Sequence, residues 1–275
     1  MFEVLAASVF LYMCFVAWLY FVQRNLIYNP SMDRVRPSSS ANPNMYEISV
    51  KTSDGLSLIS WYQNPSISHK GIIVFFHGNT GSVADRDEKV KPYIDSGYGV
   101  LLVGYRGFGG NPGRPSENGL YEDGRAVLRF LNKNTIPEAR WIFYGESLGT
   151  AIAVHLAFEL SRMGTPIQAL ILEAPFTSMS EMAARSYPYI PARYLVKDKF
   201  NSLAKISVIQ TPLLILHGEC DEVVNVDLGK SLFDSAQGPK EGAWFPEAGH
   251  NNLYNFGAFK VVLNFLDNNC SKFIP

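Results

Sequence analysis

The stretch Trp141–Leu156, WIFYGESLGTAIAVHL, places a small polar residue where a core segment is expected. An apolar run of strand character leads into GESLG, residues 145–149, and an apolar run of helical character follows. A serine between two glycines at such a junction is either an ordinary tight turn or a nucleophile held on a sharp elbow. The residues at the other strand ends must decide between these two interpretations.

Composition limits the classes of fold, partner and cofactor that the chain is expected to have. The chain has 275 residues, 47% hydrophobic and 18% charged, which suits one large α/β domain or two small ones. A net charge of −1 gives no reason to expect a nucleic-acid partner. The three cysteines, Cys14, Cys220 and Cys270, form no spaced pair, so we predict neither a disulfide framework nor a zinc site. No metal or organic cofactor is expected.

The apolar excess is concentrated near residue 1. Val4–Val22 carries no charge, and as a helix it would be about 28 Å long, close to the hydrocarbon thickness of a bilayer. The alternatives are a cleaved signal peptide and a buried core helix. The segment lacks a small-residue cleavage site and a basic leading end, which argues against a signal peptide. We therefore predict a single-pass membrane anchor over residues 1–23, in contact with membrane lipid.

The residues after the anchor indicate its orientation. Arg24, Arg34 and Arg36 follow the apolar segment, so the positive-inside rule favours a cytoplasmic catalytic domain. The unpaired cysteines agree with a reducing compartment. Residues 24–45, rich in Pro, Ser and Asn, are predicted to form a juxtamembrane linker.

Residues 46–275 show the alternation of an α/β domain. A hairpin is predicted first, and short apolar runs then alternate with amphipathic stretches. The predicted strands are Tyr46–Lys51, Leu56–Tyr62, Gly71–Phe76, Gly99–Val103, Trp141–Tyr144, Ala169–Leu172 and Pro212–Leu216. The predicted helices are Ala84–Asp95, Glu117–Asn132, Leu148–Arg162, Val226–Ala236 and Leu253–Leu266. This pattern predicts a mostly parallel central sheet with helices on both faces, whose ligands bind beyond the carboxyl ends of the strands.

A serine at a strand end needs a base before it can act as a nucleophile. The chain offers five histidines. His69 lies in a polar loop, His155 lies within the helix after Ser147, and His77 and His217 each end a strand before a glycine, as structural turn residues do. His250 remains as the predicted base, because it lies in a late loop downstream of every predicted strand.

The base in turn needs a carboxylate to hold its tautomer. Asp221 follows the last predicted strand, while Glu219 and Glu222 beside it are interpreted as solvated loop charges. The order Ser147, Asp221, His250 is that of the α/β-hydrolase triad. These three residues are the predicted catalytic residues.

Two backbone N–H groups complete the predicted site. The N–H of Leu148, directly after the nucleophile, is one expected oxyanion donor. The other is the N–H of Asn79, in the HGN turn that follows the strand ending at Phe76. An ordinary glycine turn is the alternative interpretation of HGN.

The motifs around these residues resemble those of serine hydrolases in the α/β-hydrolase superfamily. Within it, the chain is similar to the membrane-anchored Bem46-like group, related to the ABHD12, ABHD13 and ABHD17 proteins. The motifs are QRNLIYNP, HGNTG, GYRGFGGNPGRPSENGLYEDG, YGESLG, EAPFTSM, PLLILHGECDEVV and EAGHNNLY. The resemblance implies the α/β-hydrolase fold and a hydrolase of esters or thioesters, often with acyl or lipid substrates. It also implies the roles assigned above to Ser147, Asp221, His250, Asn79 and Leu148.

The segment Pro175–Lys205 is rich in Tyr, Phe, Met and Pro. It is either a helix pair that covers the core or a small lid over an acyl-binding pocket. A small acyl ester or thioester is the expected substrate. Three alternatives stay open: a serine peptidase of the prolyl-aminopeptidase kind, a thioesterase that depalmitoylates proteins, and a membrane-tethered binding protein on an inactive hydrolase scaffold.

Overall fold

The computed structural model describes residues 1–134 and 136–270. The strands are β1 Asn29–Pro30, β2 Tyr46–Lys51, β3 Ser57–Gln63, β4 Ile72–Phe76, β5 Thr80–Gly81, β6 Gly99–Leu102, β7 Trp141–Glu146, β8 Ala169–Glu173, β9 Leu213–Gly218 and β10 Lys240–Phe245. The α-helices are α1 Phe2–Ile27, α2 Asp87–Asp95, α3 Glu117–Lys133, α4 Leu148–Arg162, α5 Met179–Ser186, α6 Ala192–Leu195, α7 Leu203–Ile206, α8 Val226–Ser235 and α9 Ala258–Cys270.

Eight of these strands form the central sheet, in the order β10-β9-β8-β7-β4-β6-β3-β2. The pairs from β10 to β6 are parallel, and the hairpin of β2 and β3 joins β6 in antiparallel pairing. Strands β4, β6, β8 and β9 are buried along their whole length. Such strands read as continuous apolar runs because both faces are covered. The predicted α/β-hydrolase fold is confirmed.

Each face of the sheet carries its own hydrophobic core. Successive side chains of a strand point to opposite faces. In β4, Val74 therefore packs in the core that contains α3 and α4, and Phe75 packs in the core that contains α2 and α9. Helices cover both faces, as the sequence predicts.

Three elements differ from their predicted form. A 3-10 helix, Val83–Arg86, precedes α2, so that the α-helix begins three residues late. The last predicted helix is divided at Gly257, whose φ of 87° ends the 3-10 helix Leu253–Phe256. Strand β10 is absent from the prediction, because it lies at the sheet edge and its residues are mostly half-exposed or exposed. An edge strand lacks the continuous apolar run by which buried strands are recognised.

Helix α1 is long and apolar enough to cross a membrane, with a mean hydropathy of 2.1 over its most apolar window. It continues to Ile27, and β1 directly after it pairs with β5. The predicted division into anchor, linker and hydrolase domain stays a prediction. Residues 271–275 of the predicted domain, and the side chain of Cys270, lie outside the described part of the chain.

The topology of the sheet fixes where a ligand can bind. The chain passes from β4 to β6 on one side and then returns to β7 on the other side of β4. Adjacent loops at such a reversal diverge and leave a crevice beyond the carboxyl ends of the strands. The loops after β4 and β7 both border this crevice.

Candidate active site

Ser147 lies on a strained turn between β7 and α4. Its backbone has φ 50° and ψ −115°, a conformation that residues with a side chain rarely adopt. A Cβ atom at Gly145 would lie 2.5 Å from the Thr150 Cα, and one at Gly149 would lie 1.9 Å from the Phe76 carbonyl oxygen. Both flanking positions therefore require glycine, and the turn presents the serine side chain at the start of a helix.

The structure brings the three predicted catalytic residues together. The His250 Nε2 atom lies 3.1 Å from the Ser147 Oγ atom, and the His250 Nδ1 atom lies 2.7 Å from the Asp221 Oδ2 atom. A carboxylate only accepts hydrogen bonds, so Nδ1 is the protonated nitrogen. Nε2 is then free to accept the hydroxyl proton of Ser147.

Several donors hold the Asp221 carboxylate. The backbone N–H groups of Val223 and Val224 donate to its Oδ1 atom over 2.8 and 2.7 Å. Burial raises the pKa of the Asp221 carboxyl, but hydrogen bonds from His217, His250 and Val224 outweigh burial and hold that pKa well below its ordinary value. The carboxylate therefore stays ionised beside the imidazole.

The four other histidines lie outside the Ser147–His250–Asp221 chain of contacts that a catalytic base requires, although His217 contacts its Asp221 member. His217 is buried, and its Nε2 atom lies 2.8 Å from the Val224 carbonyl oxygen and 3.3 Å from the Asp221 carboxylate. His77 is buried, and burial, with Arg86 nearby, lowers its pKa to about 3. His155 stacks on the Tyr121 ring at 3.5 Å, and His69 is exposed. His217 supports the loop of the predicted acid, which its sequence position did not reveal.

The two predicted oxyanion donors lie on neighbouring loops. The Leu148 N–H belongs to the first turn of α4, where backbone N–H groups have no intrahelical acceptor. A Cβ atom at Gly78 would lie 3.6 Å from the Ser147 Cβ, so the loop after β4 lies directly against the elbow. Within the described residues, neither the Leu148 N–H nor the Asn79 N–H donates to another backbone carbonyl outside the regular elements. Both are available to a ligand oxygen.

The loop that carries Asn79 is tied to the end of α1. The Asn79 side-chain amide donates to the Ile27 carbonyl oxygen over 2.7 Å. The Asn29 N–H donates to the Asn79 carbonyl oxygen over 2.9 Å. These contacts join residues about 50 positions apart, so no local sequence signal indicates them.

A partly buried ionic cluster contacts the elbow through Glu146. Glu146, directly before the nucleophile, accepts from Arg86 at 2.8 Å and from Lys89 at 2.7 Å, and Lys89 also donates to Glu173 at 2.8 Å. Burial raises the pKa of the Glu146 carboxyl, but Lys89 and Arg86 more than offset this and lower it to about 2. No local sequence pattern indicates this cluster, since its members lie on four different elements.

An apolar cavity of about 280 Å³ opens in front of Ser147. Its lining comes from the catalytic loops, from the segment between β8 and β9, and from α1. The lining includes Ser147, Leu148, Asn79, Val223, Val224, Phe176, Met179, Met182, Tyr187, Ile190, Leu195, Val16, Leu19, Tyr20, Gln23, Leu26 and Ile27. The predicted lid residues therefore do border the crevice, and so do residues of the predicted anchor.

Comparison with known proteins agrees with this architecture. The family model Hydrolase_4 (serine aminopeptidase, S33) matches residues 67–198. The chain is 38% identical over 239 residues to an uncharacterized protein of Mycobacterium tuberculosis, covering 86% of this chain and 83% of that one. It is 37% identical to lysophosphatidylserine lipase ABHD12 of Danio rerio, covering 64% of this chain but only 50% of the relative. Protein bem46 of Schizosaccharomyces pombe is 29% identical, over 92% of this chain and 89% of the relative.

A solved structure extends the likeness to the whole fold. An esterase of Pyrococcus furiosus superimposes with a TM-score of 0.70 at 21% identity, covering 89% of this chain and 98% of that one. At this identity the likeness concerns the fold alone. Together with the sequence matches it confirms the resemblance to the Bem46 and ABHD12 group.

Proposed function

The chain belongs to the α/β-hydrolase family, and on that premise we propose that it is a serine hydrolase that cleaves carboxylic esters of acyl substrates. The observation that carries the proposal is the chain of contacts from Asp221 through His250 to Ser147, at 2.7 and 3.1 Å, on a strained elbow. Residues held in sparsely populated backbone conformations cluster at active sites, which supports a functional role for Ser147.

The first half of the reaction forms an acyl-enzyme. His250 accepts the Ser147 proton at Nε2 while the serine oxygen attacks the substrate carbonyl carbon. The negative charge that develops on the carbonyl oxygen is stabilised by the N–H groups of Leu148 and Asn79. The protonated His250 then gives its proton to the departing alcohol, and the ionised Asp221 stabilises the imidazolium throughout.

The second half returns the enzyme to its starting state. Water enters beside His250, which accepts one of its protons as the oxygen attacks the acyl carbon. Collapse of the intermediate releases the carboxylic acid, and Ser147 regains its proton from His250. The proton transfers in both halves use the contacts of His250 with Ser147 and with Asp221, at 3.1 and 2.7 Å.

The cavity supports an apolar acyl group as the substrate portion next to Ser147. Most of its lining is aliphatic, aromatic or methionine side chain. ABHD12 of Danio rerio is named a lysophosphatidylserine lipase, and it is 37% identical to this chain over 193 residues. A thioester of the same acyl group would react by the same steps, so a depalmitoylating thioesterase remains within this proposal.

The family model's description favours one other candidate, a serine aminopeptidase. Such an enzyme must bind the ammonium group of its substrate, which requires a carboxylate near the nucleophile. None of the described residues that line the cavity is acidic, and Glu146 below the elbow is already bound by Arg86 and Lys89. Ester hydrolysis therefore fits the cavity better than aminopeptidase activity.

Membrane attachment through α1 belongs to the same proposal. The helix Phe2–Ile27 has the length and composition of a span, and none of its residues is buried. A cytoplasmic position of the catalytic domain follows from the positive-inside rule applied to Arg24, Arg34 and Arg36. Cysteine-labelling of the exposed Cys220 in sealed vesicles tests this orientation.

The proposal is tested by ester hydrolysis with a serine knockout as control. The full chain and its Ser147→Ala variant, purified in detergent, are assayed on p-nitrophenyl esters from acetyl to palmitoyl and on aminoacyl p-nitroanilides. We expect ester hydrolysis that falls by about 10⁴ to 10⁶ in kcat in the variant, as for other triad nucleophiles.

A fluorophosphonate probe reports the nucleophile independently of substrate choice. It should label the wild type and leave Ser147→Ala unlabelled. Folded wild-type protein that neither reacts with the probe nor hydrolyses any ester would support the inactive binding scaffold instead. Cleavage of the anilides in preference to the esters would support the peptidase.

A further inference from the structure

Helix α1 contributes more to the cavity than an anchor would require. The cavity residues of α1 are Val16, Leu19, Tyr20, Gln23, Leu26 and Ile27. Counted from Val16, they fall at positions i, i+3, i+4, i+7, i+10 and i+11, so they form one continuous stripe on a single helix face. At 1.5 Å per residue the stripe is about 16 Å long, and its Ile27 end lies at the Asn79 loop beside Ser147.

This face of α1 is fastened to the segment Pro175–Lys205. Gln23 donates from Nε2 to the Leu195 carbonyl oxygen over 3.3 Å and accepts from the Lys197 N–H over 2.7 Å. Arg24 forms two hydrogen bonds, of 2.8 and 2.9 Å, with the buried carboxylate of Asp198. The helix and this segment are therefore two walls of one cavity.

The contact continues into the middle of the apolar helix. The Tyr12 hydroxyl donates to the Tyr189 carbonyl oxygen over 2.9 Å. Tyr12 lies about 18 Å along the helix axis from Arg24. When α1 spans a bilayer, part of the segment must then lie at the depth of the acyl chains. The exposed rings of Tyr189 and Tyr194, 89% and 81% accessible, suit that interface.

We propose that α1 is a wall of the acyl-binding site, so that the acyl chain of a membrane-resident ester lies along its Val16–Ile27 face and reaches Ser147 from the lipid. This inference rests on the proposed function and names its substrate class, an amphiphile whose acyl chain is embedded in the bilayer. A short acyl group bound at Ser147 lies near Ile27. A long one extends past Leu19, about 12 Å further along the helix.

The test exchanges two leucines of the same helix for tryptophan. Leu19 lines the cavity, whereas Leu11 does not and is 67% exposed. Full-length wild type, Leu19→Trp and Leu11→Trp are reconstituted in phosphatidylcholine vesicles. For each, kcat/KM is measured on p-nitrophenyl acetate and p-nitrophenyl decanoate. We expect the decanoate-to-acetate ratio to fall at least tenfold in Leu19→Trp and to match the wild type in Leu11→Trp.

A second variant covers the case in which the tryptophan prevents folding. Leu19→Ala removes bulk from the same wall and enlarges the cavity there, so the preferred ester should have a longer acyl chain. Equal ratios in the two tryptophan variants, or an unchanged preferred length in Leu19→Ala, would overturn the inference while Ser147-dependent hydrolysis still stands. A wild type with no Ser147-dependent hydrolysis would instead overturn the proposed function, and the inference with it.

Discussion

The floor and the roof of the cavity are built in different ways. The floor is the elbow around Ser147, where Gly145 and Gly149 leave no room for a methyl group and Glu146 is held by two cations. The roof is the segment around α5. No residue of α5 is buried, and Tyr187 and Tyr189, which follow the helix, are exposed.

This difference separates two requirements of an enzyme. Catalysis needs reacting groups held to within a fraction of an ångström, which backbone packing and buried ion pairs provide. In the proposed function, substrate choice needs only an apolar surface of suitable shape, and side chains of α5 and α1 line the cavity with such a surface. We therefore expect substitutions in the floor to cost stability and substitutions in the roof to change selectivity.

The largest expected effect is that of a single methyl group in the floor. In Gly149→Ala, the new Cβ would overlap the Phe76 carbonyl oxygen at 1.9 Å, and backbone atoms cannot rotate away. We expect a loss of at least about 4 kcal/mol in the free energy of unfolding, since only severe core disruptions cost this much. Chemical denaturation in detergent measures it.

Gly164→Ala is the matched control for that change. Gly164 has a φ of +72° and no atom within 4 Å of a built Cβ. The free energy of unfolding of Gly164→Ala should fall only by the cost of holding alanine in the left-handed conformation, about 1–2 kcal/mol. An equal loss in both variants would contradict the prediction, because crowding at Gly149 would then cost no more than a left-handed alanine at an open position.

A second prediction concerns acid sensitivity of the floor. The pKa of Glu146 is lowered from 4.5 to about 2 in the folded chain. As the pH falls, the unfolded chain binds this proton first, so the stabilisation is complete above pH 4.5 and is lost as the pH falls towards 2. A shift of this size is worth about 3 kcal/mol. Glu146→Gln should therefore flatten the decline of stability between pH 5 and pH 2.

The measurement is the free energy of unfolding at several pH values in that window. Glu222→Gln, which removes an exposed carboxylate from a loop, is the control and should keep the wild-type slope. If Glu146→Gln also keeps that slope, the ionic cluster does not stabilise the fold through its charge.

The smallest expected effect comes from the roof. Met182 lines the cavity and is only partly buried. In the proposed function, Met182→Ala removes apolar contact with a long acyl chain, and one methylene of such contact is worth about 1–3 kcal/mol. We expect KM for p-nitrophenyl decanoate to rise by about tenfold with little change in apparent Tm. Met163→Ala, at an exposed position on the far end of α4, should alter neither value.

Much of the fold was predictable from local patterns. The buried strands β4, β7, β8 and β9 appear as apolar runs, and the residues directly after them are those that the structure gathers in the crevice. β10 was missed because only Phe245 of its six residues is buried, so it lacks a continuous apolar run, and its pairing with β9 depends on the tertiary fold. The divided final helix was missed because Gly257 interrupts a continuous helical period.

The candidate site shows the same division. Ser147, Asp221 and His250 were predictable because a strand-to-helix turn, a strand end and a late loop each have a sequence signature. The support of Asp221 by His217, and of Glu146 by Lys89, had no signature, since these contacts depend on how strands and helices pack.

The amino-acid sequence alone sets the order of the buried strands along the chain, the requirement for glycine at position 145, and an apolar first helix. These features depend on local backbone sterics and on the periodic spacing of hydrophobic residues, both of which concern residues close together in the chain. The position of α1 against the cavity is visible only in the folded structure, because it rests on contacts between residues some 170 positions apart, such as Arg24 with Asp198. No local pattern encodes such a contact, and it is this contact that turns a predicted anchor into a wall of the site.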